Sequence, residues 1–208
     1  MKAKTRVAVL VSGGGTNLQA LIDAQAAGRL PDGELCAVIS NKKGAFALHR
    51  AEEARIPAFT VTKKASGGSQ EAFEAALNDV LDACGAQLIV LAGFLSILSE
   101  DFTTRWRDRI VNIHPSLIPA FCGKGYYGLR VHEAALERGV KVTGATVHLV
   151  NEIPDGGRIL LQKAVEILPG DTAETLQHRV MEQAEWILLP QAVELLSKQL
   201  REEDSSHD

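Results

Sequence analysis

The stretch V-A-V-L-V, within Arg6 to Val11, is apolar at every position, and Gln87 to Ala92 (Q-L-I-V-L-A) is nearly so. A strand with one wet face alternates apolar and polar residues. A short run with no polar break fits a strand buried on both faces, as in a parallel sheet covered by helices. The segments between such runs carry the complementary signal. After Val11, Leu18, Leu21, Ile22 and Ala26 recur at helical spacing, with Gly28 as a stop. Leu35 to Ile39 is a second strand, Ala45 to Arg55 a helix closed by Pro57, and Ala58 to Val61 a short strand. Gln70 to Cys84 forms a helix with Phe73, Leu77, Val80 and Leu81 on one face, and Ser99 to Arg107 a short one. Strand–helix alternation of this kind predicts an α/β fold: a doubly wound, Rossmann-like, mostly parallel sheet with right-handed crossovers.

Beyond residue 119 the pattern changes. Ala120 to Arg130 (A-F-C-G-K-G-Y-Y-G-L-R) is a glycine- and aromatic-rich loop, followed by a helix over Val131 to Arg138. Thr143 to Val150 and Ile159 to Ile167 alternate, which suits strands in a mixed C-terminal part of the sheet. Thr172 to Leu200 is a long helical stretch, interrupted or restarted at Pro190, and residues 201–208 are a charged tail.

The 208 residues, 46% apolar, suffice for one core, and one domain is expected. A net charge of −4 argues against a general nucleic-acid binder. Three cysteines without C-x-x-C spacing give neither a disulfide framework nor a zinc pattern, so no metal and a reducing cytoplasm are expected. No run is long enough to span a bilayer, and the N-terminus reads as a first strand rather than a signal peptide.

In doubly wound sheets ligands sit beyond the carboxyl ends of the strands. Four polar or glycine-rich segments fall there: 12–17, 40–44, 93–96 and 112–116. Gly13-Gly14-Gly15-Thr16-Asn17 lies between a strand and a helix. It reads as a phosphate cradle, or as a tight turn needing glycine for geometry alone. It is neither a Walker loop nor a good dinucleotide fingerprint, so a mononucleotide-like or sugar phosphate fits better than NAD. In R-I-V-N-I-H-P, period-2 alternation places Asn112 and His114 on one face of a strand that Pro115 ends. A carboxamide donor beside an imidazole suits proton-transfer chemistry; the alternative is a satisfied core histidine at a strand end. His148 shares a strand face with Thr146, and Asp155 sits in a Pro-Asp-Gly-Gly turn, where aspartate is ordinary turn chemistry unless it lies near His114. The loop from Gly93 to Leu98 offers backbone hydrogen bonds and an apolar wall to a flat heterocycle, or is a plain connection. His49, His132, His178 and His207 fall on predicted helices or the tail and are expected in solvent.

The ordered set V-L-V-S-G-G-G-T-N-L-Q-A-L-I, V-L-A-G-F-L-S-I-L-S, V-N-I-H-P-S-L-I-P and G-A-T-V-H-L-V with D-G-G closely resembles the family of folate-dependent phosphoribosylglycinamide formyltransferases, from Val7 to about Leu195. The resemblance implies a single formyltransferase domain over residues 1–200, phosphate-binding in its first half and folate-binding and catalytic in its second. It implies formyl transfer from 10-formyltetrahydrofolate, a co-substrate, to the amine of N1-(5-phospho-D-ribosyl)glycinamide in purine (IMP) biosynthesis, by direct attack through a tetrahedral intermediate. It implies small-molecule partners only, with no nucleic acid or membrane, in a monomer or homodimer. By matching positions, Asn112, His114 and Asp155 take the catalytic roles, and Gly15, Thr16 and Asn17 the phosphate loop. Glu185 takes the contact to the glycinamide part of the substrate. Leu95, Ser96, Ile97, Leu98, Asn112, Asn151 and Asp155 match folate contacts.

The chain departs from the family in several places. Familiar members often carry arginine where Gln70 and Ser96 stand, which leaves Lys63 or Lys64 for the folate's glutamate tail. One extra residue lies between Val180 and Pro190, and the C-G-K-G-Y-Y-G stretch is longer than in many relatives, as a lid or a dimer contact. The alternative within enzymes is a formyltetrahydrofolate hydrolase or another folate-dependent formyltransferase with the same Asn–His–Asp centre. A nucleotide-binding oxidoreductase and a non-catalytic ligand sensor stand outside that class.

Overall fold

The computed structural model describes residues 3–205. Strands β1 (Thr5–Val11), β2 (Gly33–Ser40), β3 (Ala58–Thr60), β4 (Leu88–Leu91), β5 (Ile110–His114), β6 (Val142–Leu149) and β7 (Ile159–Glu166) form one sheet in the order β3-β2-β1-β4-β5-β6-β7. β3 to β5 are parallel, whereas β6 and β7 are added antiparallel. The expected doubly wound sheet with a mixed C-terminal part is therefore found. Strand order reverses between β1 and β4, and that switch point opens the crevice that holds the site.

The unbroken apolar runs are explained by burial on two faces. Val7, Val9 and Val11 pack towards α1 (Thr16–Ala26), α2 (Phe46–Glu53) and the C-terminal helices α6 (Ala173–Val180) and α7 (Trp186–Ser205). Ala8 and Leu10 face the other way, towards Phe73, Leu77 and Leu81 of α3 (Gln70–Ala83) and Phe102 of α4 (Glu100–Arg105). Each such side chain, once buried, contributes about 1.5–3 kcal/mol. A single polar replacement in the run would therefore weaken one layer outright.

Two expectations about the C-terminal region are corrected. The helical stretch is not interrupted at Pro190, which lies inside α7. The interruption comes earlier, as a π-helical turn over Met181–Glu185. A π turn takes one more residue than an α turn without ending the helix, which suits the extra residue noted in this segment. It also lies just ahead of a proline whose ring would crowd the carbonyl four residues back. Second, helix continues into the charged tail as far as Ser205; residues 206–208, including His207, lie outside the described residues. No described helix is long and apolar enough to cross a membrane.

Candidate active site

Residues from six parts of the chain line a cavity of about 450 Å³ at the switch point, among them Gly13–Asn17, Leu95, Asn112, His114, His132, Asp155 and Glu185. Three of the four strand-end segments expected to converge do so. The fourth, 40–44, stands behind it, where Asn41 Nδ2 donates to Ser96 Oγ at 2.7 Å.

The glycine-rich loop forms the N-terminal end of α1. Gly15 is left-handed (φ 72°), and a Cβ there would lie 2.6 Å from the Cβ of Ala47, so both conformation and space require glycine. Ala47 N–H donates to Gly13 O at 3.0 Å, and Arg50 Nε to Gly14 O at 2.8 Å. Two loop carbonyls are thus tied to α2. The helix has no side-chain cap and no acidic residue in its first turn, which leaves amide N–H groups and a positive helix end for a ligand anion. Asn17 Nδ2 donates to Glu185 Oε2 at 2.8 Å, joining this loop to the π turn. Glu185 is buried, and burial pushes its carboxyl up to about 7 against the stabilising Asn17 donor.

The cluster around His114 is built by one antiparallel pairing and two tight loops. Asn112 and His114 share a face of β5, and in the register of β6 His148 lies opposite Asn112. Asp155 reaches the same point from the 150–158 loop in a left-handed conformation (φ 57°). Asp155 Oδ2 lies 3.6 Å from His114 Nδ1, and its Oδ1 lies 3.5 Å from His148 Nε2. Asp155 is therefore more than a turn former. The loop after the histidine closes the ring of contacts. His114 Nε2 donates to Phe121 O at 2.8 Å, and Gly123 N–H donates to Asp155 Oδ2 at 2.8 Å. The Nε2–H of His114 is committed to a carbonyl, so Nδ1 is the position that gains a proton, facing a carboxylate.

Burial holds the His114 imidazole below its usual value, against the opposing pull of Asp155 and the Phe121 carbonyl, so the ring rests neutral at neutral pH. Burial acts to raise the Asp155 carboxyl. The His148 contact, His114 and the Gly123 N–H together outweigh it and hold Asp155 below the usual carboxylate range. The site thus pairs an ionised acid with a neutral base that can charge beside it.

A second pocket of about 130 Å³ opens on the other side of Asn112, between the 94–98 and 150–155 loops. Ser96, Ile97, Leu98, Asn151 and Asp155 line it, with Phe94 and Ile153, while Leu95 turns instead into the larger cavity. Ile97 and Ile153 are among the most exposed large apolar residues of the chain, at 68% and 57%. Together they leave an open, flat apolar slot with polar groups of Asn112 and Asp155 at its inner end. Gln70, the departure noted above, braces this wall. Its Nε2 donates to Ile97 O at 3.0 Å and to Glu74 Oε1 at 2.6 Å, and Lys63 Nζ donates to its Oε1 at 3.2 Å. Glu74 is buried and in turn accepts from Ser99 N–H.

Sequence reasoning missed four contributors. His148 needed the antiparallel register of β5 and β6 to be recognised as the neighbour of Asn112. The carbonyl of Phe121 and amide of Gly123 carry no side-chain signal at all. His132 was expected in solvent; on α5 (Leu129–Arg138) it is instead fully buried and lines the large cavity, because Val131, His132 and Ala135 form the inward stripe of that helix. His49 and His178 are exposed as expected. Among the described residues no group of three His, Cys, Asp or Glu is placed to hold a metal ion.

Comparison with known proteins supplies the family. A family model described as formyl transferase matches residues 5–193. Phosphoribosylglycinamide formyltransferase of Haemophilus influenzae is 44% identical over 86% of this chain and 81% of that protein. The trifunctional purine biosynthetic protein adenosine-3 of Gallus gallus is 45% identical over 93% of this chain, but this chain spans only 18% of its length. Among solved structures, glycinamide ribonucleotide transformylase 1 from Symbiobacterium toebii superimposes with a TM-score of 0.87 at 42% identity, covering 94% of this chain and 89% of that one.

Proposed function

The chain belongs to the formyl transferase family, as a relative of its phosphoribosylglycinamide formyltransferases, and from that premise we propose that it transfers the formyl group of 10-formyltetrahydrofolate to the amine of N1-(5-phospho-D-ribosyl)glycinamide in purine (IMP) biosynthesis. The observation that carries this reading is a single cavity with an uncapped, glycine-rich helix end at one side and Asn112, His114 and Asp155 at the other. An acceptor with a phosphate at one end and a nucleophile at the other spans those two features. The apolar slot beside Asn112 suits the flat ring system of the formyl donor, with Ser96, Ile97, Leu98 and Asn151 along it and Leu95 at the junction with the larger cavity. Residues 1–200 act as one formyltransferase domain in this scheme. The unpaired cysteines Cys36, Cys84 and Cys122 suit a reducing cytoplasm.

The residue chemistry gives each group a step. Gly15, Thr16 and Asn17 hold the phosphate through backbone N–H groups at the α1 terminus. Glu185, in a cavity wall and tied to Asn17, holds the glycinamide part. As the amine adds to the formyl carbon, negative charge gathers on the formyl oxygen. Asn112 has a second N–H beyond the one given to His148, and a preorganised donor of this kind contributes about 2.7–4 kcal/mol to a transition state. Neutral His114 takes up the proton released by the amine, through water, and becomes an imidazolium paired with Asp155. That cation adds a charged donor and returns a proton to the departing nitrogen. Its Nε2–H is held by Phe121 O in this conformation, so presenting that edge to the reactants requires the carbonyl to give way. The intermediate is tetrahedral and no covalent enzyme adduct forms.

The test is an assay of the purified protein with glycinamide ribonucleotide and 10-formyltetrahydrofolate, following formylglycinamide ribonucleotide and tetrahydrofolate. Stoichiometric formation of both is expected. Tetrahydrofolate and free formate without the acceptor would instead identify a hydrolase, and no reaction of either kind would defeat the proposal.

A further inference from the structure

The scheme above leaves one buried titratable side chain of the cavity without a role. His132 has no exposed surface, yet it lines the cavity that holds Gly13–Asn17 and His114. Among the described residues neither Nδ1 nor Nε2 of its ring has a hydrogen-bond partner. Asn17 Oδ1, in the same cavity, is likewise unpaired, whereas Asn41 Oδ1, Thr143 Oγ1, Trp186 Nε1 and Ser197 Oγ do not line it. Buried polar groups are nearly always satisfied, and orphans cost free energy comparable to a lost hydrogen bond. An imidazole unpaired at both nitrogens in the lining of this cavity marks a group that a ligand satisfies.

The chemistry of the ring limits what that ligand group is. Burial, reinforced by the nearby His114, pushes His132 down to about 4, so the ring is neutral at neutral pH. A neutral imidazole presents one N–H donor and one acceptor nitrogen. A phosphate oxygen only accepts and an ammonium only donates, so each suits only one of the two ring edges. A hydroxyl can accept from the N–H edge or donate to the acceptor edge, whichever faces the cavity, and the acceptor substrate's carboxamide is already assigned to Glu185. In the acceptor substrate proposed above, hydroxyls lie on the sugar, between the phosphate at the α1 end and the amine at the His114 end. We propose that His132 is a specificity-determining contact for a sugar hydroxyl of the acceptor substrate. This inference rests on the function proposed in the preceding subsection.

The experiment compares wild type with His132→Leu and His132→Asn, using glycinamide ribonucleotide and its 2′-deoxy and 3′-deoxy sugar analogues. Affinity is measured by calorimetry and KM by steady-state assay for both substrates. His132→Leu is expected to weaken the ribosyl acceptor about tenfold, leaving KM for the formyl donor within twofold. One deoxy analogue is expected to bind wild type about tenfold more weakly than the parent, and to bind His132→Leu no more weakly than the parent does. His132→Asn, which keeps a donor and an acceptor, should recover part of the loss. Unchanged acceptor affinity in both variants would overturn the proposal, and so would undiminished discrimination against both deoxy analogues in His132→Leu. If His132→Leu fails to fold, His132→Asn decides by the same comparison: discrimination equal to wild type against both analogues, at unchanged affinity, overturns it. Calorimetry reads binding without turnover. Binding with the expected discrimination but no formyl transfer would therefore fault the proposed reaction and leave the His132 contact standing.

Discussion

The side-chain amide of Asn112 donates to Nε2 of His148 at 3.1 Å, across a directly facing pair of β5 and β6. His148 Nδ1 donates to Leu149 O at 2.8 Å, and in that Nδ1–H tautomer Nε2 accepts. That acceptor decides which end of the Asn112 carboxamide points into the cavity: one N–H is held and the other is left to a reacting oxygen. His148→Ala should lower kcat about tenfold to a hundredfold with little change in either KM, because the donor remains but is no longer aimed. His148→Gln, whose carbonyl can accept, should restore part of it. A matched loss in kcat and both KM values would point to general collapse of the site.

Asp155 carries the second prediction. It raises the affinity of His114 for a proton, opposing the burial that lowers it. If neutral His114 is the base, activity falls as pH drops through its pKa, which lies below the ordinary 6.5. Removing the carboxylate charge in Asp155→Asn withdraws a raising influence, so the acidic limb of kcat/KM should move to still lower pH. Turnover should fall by about 10²–10⁴, as should that of His114→Ala. An acidic limb that moves up in Asp155→Asn would reverse the assigned relationship. Near-wild-type turnover in either variant would remove that residue from the mechanism.

Glu185 predicts a stability effect of opposite sign to that of a paired carboxylate. Burial pushes its folded pKa up to about 7, above the ordinary 4.5 of a glutamate. The folded state therefore binds more protons than the unfolded state between those values, and stability is lost as pH rises through that window. Glu185→Gln removes the buried charge while keeping a partner for Asn17. Relative to wild type it should be stabilised by up to about 3 kcal/mol at pH 8, with the difference vanishing by pH 4. Urea unfolding at the two pH values checks this. A variant less stable at pH 8 would show the carboxylate to be better solvated by its surroundings than its burial indicates.

The central sheet was legible because its cause is local: V-A-V-L-V has no polar residue to turn to water, so both faces had to be covered. Asn112 and His114 were legible as a pair because strand periodicity alone puts them on one face. His148 was not, since its partnership depends on register between two strands that bring together residues 36 apart in the chain. Phe121 and Gly123 act through backbone atoms, which any residue possesses. His132 was misplaced for a different reason. Its helix is short, and a histidine on the inner stripe reads as polar unless the stripe is recognised from Val131 and Ala135. Pro190 misled because proline is a breaker in an isolated helix, whereas here a π turn precedes it and the helix runs on.

Gly157 shapes the turn that delivers Asp155. A Cβ built on Gly157 would lie 1.8 Å from the carbonyl oxygen of Leu149, the last residue of β6. Contact that close is with backbone, which has no rotamer to yield. Gly157→Ala must therefore push the 150–158 loop off the end of the strand, and strain of this type costs about 1–3 kcal/mol. The same displacement carries Asp155 away from His114, two residues upstream of the substitution and already 3.6 Å from its partner. Activity should thus fall by at least tenfold, far more than a stability loss of that size would take from a protein that remains folded at 25 °C. Measuring the unfolding midpoint and kcat side by side separates the two effects. A destabilised variant with unaltered kcat would show that Asp155 holds its position independently of the glycine turn.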